Sequence, residues 1–178
     1  MHASPPSDDR PNRRAGTTGT TGTTSTELVV AQLALIVLII AQAAPALWWG
    51  LVQGMWPAPV PQLTVVLLGL GLGTALGFWA LWANRPGNFN IRPDPRAGAQ
   101  LVEHGPYRWL RHPMYTALMV ACAGLVAMSA SFWAGAAWIG LMVVLVRKAA
   151  VEEALMVQHH PSYATYAART RRFLPGVV

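Results

Sequence analysis

The stretch RHPMYTALMVACAGLVAMSASFWAGAAWIGLMVVLVRK, residues 111–148, decides the fold, because no Asp, Glu, Lys or Arg stands between Arg111 and Arg147. An ion in hydrocarbon costs a few kcal/mol, so a run without ions is one that a bilayer can accept. A single crossing takes about 20 apolar residues, and this run is long enough for two. Ser129-Ala130-Ser131 is its small, polar break. The pattern predicts helices over 114–128 and 132–148, joined as a tight antiparallel hairpin. Such a hairpin returns Arg147 and Lys148 to the membrane face from which Arg111 and His112 set out.

Working upstream, a second charge-free block runs from Leu28 to Asn84. It divides at Val52 to Gln62, where three prolines and no charge mark a short connection on the outer side. Helices are predicted over 28–49 and 63–82, with Trp48, Trp49 and Trp56 as an aromatic belt. Gly69, Gly73 and Gly77 recur every four residues and line one face of the second helix, where missing side chains let another helix approach. The run Gly-Leu-Gly-Leu-Gly, residues 69–73, does not make a nucleotide loop, since the third spacing fails and no βαβ unit surrounds it, which excludes a soluble Rossmann domain. Met1 to Thr26, rich in Pro, Ser, Thr and Gly, holds too little apolar surface to offset its ordering entropy and reads as a disordered tail. A cleaved signal peptide is the rival reading of Arg13 to Ala43, but the apolar run continues through Trp48 to Val52.

With 53% hydrophobic and 11% charged residues, the chain lies outside the soluble globular range. Its net charge of +6 is carried beside the apolar segments, not on a soluble face interleaved with aromatics. Membrane lipids with anionic headgroups are therefore expected as partners, and nucleic acid is not. The positive-inside rule gathers the N-terminal arginines, the five-arginine loop Arg85 to Arg111, Arg147/Lys148 and the Arg169 to Arg172 cluster on the cytoplasmic side. All four agree only if the chain crosses four times with both termini cytoplasmic. Arginine outnumbers lysine, and Ala, Gly, Val and Pro abound, a composition that points to a GC-rich bacterium and its inner membrane. Cys122, the one cysteine, excludes an intrachain disulfide, and His159-His160 lacks further ligands at a metal spacing, so no metal is expected.

The last segment, 149–178, is expected to leave the membrane as helix, break near Pro161, and fold back toward the loop. That return gathers Tyr107, His112 and Tyr115 from one stretch with Arg147, Lys148, Glu152 and Glu153 from another. Lys148 and Glu152 lie four apart and share a helix face, so they either pair or divide between two ligands of opposite charge.

The string GPYRWLRHPMY (105–115), some thirty apolar residues, then RKAAVEEALM (147–156) and PSYATYAARTRRFLPG (161–176) together resemble the isoprenylcysteine carboxyl methyltransferase family of integral membrane methyltransferases. The resemblance implies an all-α integral membrane protein whose cytoplasmic loop and C-terminal segment hold S-adenosylmethionine without a Rossmann fold. Carried over by position, it implies cofactor contacts at Gln100, Leu101, Val102, Tyr107, His112, Pro113, Met114, Tyr115, Glu152 and Glu153. It further implies a basic residue facing the acceptor's carboxylate one turn before Glu152. Lys148 stands there where the family commonly has arginine, with Arg147 beside it, and an arginine fork and a lysine point charge are not equivalent. The expected activity is methyl transfer to a lipophilic small molecule or lipid-modified group, either a prenylcysteine-like carboxylate or the amine of a phospholipid headgroup. A non-catalytic scaffold or lipid-binding module is the alternative from another class.

Overall fold

The computed structural model describes residues 18–52, 60–84 and 101–174. Five α-helices are found among them: α1 (Thr18–Val52), α2 (Val60–Ala83), α3 (Pro113–Ser129), α4 (Phe132–His159) and α5 (Tyr163–Arg169). A short 3-10 turn, Gly105–Arg108, precedes α3, and among the described residues there is no strand beyond one parallel bridge between Leu110 and Arg171. Among the described residues three segments are long and apolar enough to cross a membrane, Ser25–Trp49, Leu63–Ala83 and Phe132–His159, while α3 is a shorter apolar helix.

The helices are inside out relative to a soluble protein. Val30, Val37, Leu67, Leu72 and Val143 are exposed, whereas Ile39, Leu141, Leu145 and Cys122 form the core with Ala137. Exposed apolar side chains on this scale are suited to lipid, not water.

Two antiparallel pairings build the bundle. Gly69 and Gly73 of α2 meet α3 so closely that a Cβ on Gly69 would lie 2.7 Å from Gly124 Cα, and one on Gly73 2.7 Å from the Ala117 carbonyl. Gly77, the third of the series, would meet only an ordinary contact at 3.7 Å. The glycine face is thus a close-packing seam over its first two positions, with Gly124 answering from the other side. The second pairing sets α1 against α4: Ser131 Oγ donates to Gln42 Oε1 at 3.3 Å at the hairpin end, and Lys148 Nζ to Gln32 Oε1 at 3.1 Å at the other.

The hairpin forms where the small residues stand. Ala130 closes α3 in the left-handed region, φ 46°, its N–H bonded to the Val126 carbonyl, and Ser131 is extended ahead of α4. One boundary differs from expectation. α1 begins at Thr18, inside the stretch read as tail, because once an apolar helix is nucleated each further residue adds one backbone bond. α4 continues past Lys148 to His159, as expected of a segment that leaves the membrane as helix, and His160 caps it in an extended conformation just before Pro161. The predicted break therefore stands, and the crossing and the tail helix are one rod that carries Lys148, Glu152 and Glu153 on a single rigid element.

Candidate functional site

The polar end of the bundle is assembled from the loop before α3, the second half of α4 and the segment after α5. Gly105 starts the loop at φ +60°, and a Cβ there would sit 2.9 Å from that of Ala83, so glycine meets both the conformation and the contact with α2. Arg111 N–H donates to the Arg171 carbonyl at 2.7 Å, His112 N–H to that of Arg172 at 3.1 Å, and Arg171 N–H back to Trp109 at 2.9 Å. Thr116 Oγ1 adds a bond to the Phe173 carbonyl at 2.8 Å. The end of the chain is laced to the start of α3 through backbone groups, which depend little on side-chain identity.

Tyr163 and Tyr166 of α5 are buried beneath this strap, and Tyr166 donates its hydroxyl to the Tyr107 carbonyl at 2.8 Å. Burial pushes both tyrosines well above the ordinary phenol value, so they remain neutral donors at any physiological pH. Tyr107 is pushed up to about 12, by burial first and then by the charge of Glu152.

Glu152 and Glu153, adjacent on α4, enter different company. Glu153 accepts from Arg111 Nε at 2.9 Å and from Arg172 at 2.6 and 3.1 Å, and meets His112 Nε2 at 3.1 Å. Arg111 also donates to the carbonyls of Ala167 and Thr170 at 2.8 and 2.6 Å. The bond to Glu153 holds the Arg172 guanidinium above its usual value. Glu153, expected among cofactor contacts, is the hub that ties loop, α4 and chain end together, and its oxygens are already engaged.

Glu152 accepts from the Tyr115 hydroxyl at 2.6 Å and faces His112 Nδ1 at 3.5 Å. A carboxylate offers about four lone-pair positions, so it keeps acceptor capacity in hand, and 19% of its side-chain surface remains accessible. His112 stands between the two carboxylates and stacks on Tyr115, ring centroids 5.3 Å apart and nearly parallel. The Nε2 contact to Glu153 orients the ring, leaving Nδ1 for the Glu152 side.

Lys148 and Glu152 divide; they do not pair. No ion pair links them among the described residues; the Lys148 ammonium, 4% exposed, bonds to Gln32 of α1 and lies over the Tyr115 ring at 5.3 Å from its centroid. Arg147, one position earlier, is exposed on the outside of α4.

Of the residues named from sequence, Tyr107, His112, Tyr115, Lys148, Glu152 and Glu153 are brought together. Pro113 is buried and Met114 half-buried in the first turn of α3, and Leu101 and Val102 are half-buried ahead of the 3-10 turn. Gln100 lies outside the described residues. Gln32, Arg111, Thr116 and Arg172 were not anticipated in these positions. Gln32 alone carried a signal, an amide interrupting an apolar span; the others are typical interfacial residues whose partners lie far away in sequence. Among the described residues no group of three His, Cys, Asp or Glu side chains is placed to hold a metal ion.

A family profile described as phospholipid methyltransferase matches residues 62–162, more than half of the chain. That family lies within the isoprenylcysteine carboxyl methyltransferase-like membrane methyltransferases, the group that the loop and tail resemble. The chain is 33% identical over 125 residues to the cobalt-zinc-cadmium resistance protein CzcN of Cupriavidus metallidurans, covering 69% of this chain and 53% of that one. It is 34% identical over 115 residues to the nickel-cobalt-cadmium resistance protein NccN of Alcaligenes xylosoxydans xylosoxydans, covering 64% and 49%. The chain thus spans about half the length of the curated relatives it matches.

Proposed function

Because the chain belongs to the phospholipid methyltransferase family, we propose that it transfers a methyl group from S-adenosylmethionine to a lipophilic acceptor at the cytoplasmic face of a bacterial inner membrane. The observation that carries this reading is the convergence of His112 and Tyr115 from the loop side with Glu152 from α4 in one cluster.

The residues fit such a donor. A sulfonium amino acid asks for an acceptor for its ammonium or ribose hydroxyls and for aromatic faces against its positive sulfur. Glu152 has spare acceptor capacity, and Tyr107, His112 and Tyr115 supply the faces. When bound, S-adenosylmethionine supplies a methyl carbon open to in-line displacement. The protein contributes alignment and water exclusion more than acid or base chemistry, because a carboxylate acceptor is already ionised at neutral pH. Tyr115 fixes Glu152 by its hydroxyl bond, Glu153 turns the His112 ring, and the strap from Thr170 to Phe173 lies over the start of α3. Lys148 is the cation on the acceptor side. It is buried with no carboxylate partner among the described residues, whereas Arg147 is exposed.

Four crossings suit this placement. With a rise of 1.5 Å per residue, the 17 residues of α3 span roughly 25 Å and the 28 of α4 roughly 42 Å. A short α3 paired with a long α4 leaves the second half of α4 and the loop together at the cytoplasmic surface, where a soluble donor enters from water and the acceptor from the bilayer.

Titration of detergent-purified protein with labelled S-adenosylmethionine tests the reading. Saturable binding is expected in wild type, weakened by at least about tenfold in Glu152→Ala, since a charged hydrogen-bond partner is lost from a part-buried site. Equal, negligible binding by both proteins would favour a non-catalytic membrane scaffold instead. The family match favours a second acceptor class, the amine of a phospholipid headgroup. Methyl incorporation into phosphatidylethanolamine vesicles, and none into a prenylcysteine analogue, would select it.

A further inference from the structure

Gln32 lies on α1, far in sequence from every residue of the cluster, yet its amide oxygen is the hydrogen-bond partner that Lys148 has among the described residues. An ammonium carries three donors and a full charge. Among the described residues one donor is used, on a neutral amide, and no carboxylate stands within ion-pair distance. Glu152, one turn away, acts on it through charge at a distance, but its direct contacts go to Tyr115 and His112. A buried cation left with donors to spare is stable only where another group meets it, and the group that suits it is an anion.

The lysine stem is flexible, with its charge at the tip, so what fixes the tip decides where the anion sits. Gln32 from α1 and the Tyr115 ring from α3 fix it from two sides, at 3.1 Å and 5.3 Å. The second amide of α1, Gln42, serves otherwise, accepting from Ser131 at the hairpin end. We infer that Gln32 is a positioning residue of the acceptor site: by holding the Lys148 ammonium between α1 and α4, it seats an anionic group of the lipophilic acceptor beside the cofactor cluster. This rests on the methyltransferase reading above. It makes the first helix part of the site, although that helix lies wholly outside the stretch matched by the family profile, residues 62–162.

The test uses the full chain in detergent, with a prenylcysteine analogue bearing a free carboxylate, its methyl ester, and labelled S-adenosylmethionine as probes. Wild type is expected to prefer the acid over the ester by about tenfold, the worth of one charged hydrogen bond. Gln32→Met, close in volume but without the acceptor oxygen, should abolish that preference and leave S-adenosylmethionine affinity unchanged. Lys148→Met should do the same, and the double variant should be no worse than Lys148→Met alone, since residues acting through one another do not add. Equal preference in wild type and Gln32→Met, additive losses in the double variant, or a parallel loss of cofactor affinity would each overturn the inference. Wild type that binds no S-adenosylmethionine overturns the methyltransferase reading itself and this inference with it.

Discussion

The seam between α2 and α3 and the polar cap over the loop, α4 and chain end hold this protein together by opposite means. Along the seam, Gly69, Gly73 and Gly124 bring backbones into contact, with Ala117 and Ala121 filling what remains. Association there comes from close van der Waals packing, because lipid offers no hydrophobic gain for burying one apolar helix against another. In the cap, Glu153 collects Arg111, Arg172 and His112, and backbone bonds lace 109–112 to 171–173. The seam leaves nothing over. The cap leaves Glu152 with lone pairs and Lys148 with donors, so the region built from charges is the one equipped to hold a ligand.

The contrast breaks most severely at Glu153. Replacing it by Ala leaves two guanidiniums facing each other without their carboxylate, and a loss of about 3 kcal/mol is expected, as for removal of one partner from a part-buried ion pair. Thermal unfolding in detergent measures it. Glu153→Gln should recover part of the stability, and a variant as stable as wild type would show that the strap does not need the hub.

A smaller loss is expected at the seam. Gly73→Ala places a methyl 2.7 Å from the Ala117 carbonyl, so the helices must part, at a cost of about 2 kcal/mol. Gly71, two residues away, meets nothing within 4 Å, and alanine there should be neutral or slightly stabilising, by about 0.5 kcal/mol. Unfolding midpoints that move alike for the two variants would remove the distinction between the seam and the rest of α2. Cofactor affinity should be untouched in either, which separates the seam from the cap by a second readout.

The finest effect belongs to Tyr115→Phe. It keeps the ring under Lys148 and beside His112 but removes the hydroxyl that holds Glu152 at 2.6 Å. Freed of one contact, Glu152 becomes mobile, and S-adenosylmethionine should bind about fivefold more weakly, a loss of about 1 kcal/mol. Unchanged affinity would mean that Glu152 is positioned by the helix alone.

Much of this was legible in the chain. The charge-free runs marked the helices, because an ion in hydrocarbon is costly enough to override local propensity. Ser129-Ala130-Ser131 marked the hairpin and Pro161 the end of α4, because the first is small and polar and the second cannot extend a helix. The order of loop, hairpin and tail sufficed to bring His112 and Glu152 together. The start of α1 was placed too late, since the Thr/Gly run before Leu28 lacks apolar surface of its own and is helical from Thr18 only as the continuation of an apolar helix.

Which member of each adjacent pair faces inward was another matter. Arg147 and Lys148, like Glu152 and Glu153, are neighbours whose side chains leave the helix about 100° apart, and composition says nothing about which direction finds a partner. Composition and spacing determined that cations and carboxylates would meet at one end of the bundle, because that depends only on where charge is tolerated along the chain. The packing of α1 and α3 against α4 decided that Lys148 goes to Gln32 and Glu153 to the arginines, leaving Glu152 open. That choice depends on groups dozens of residues away, which only the folded chain brings within reach.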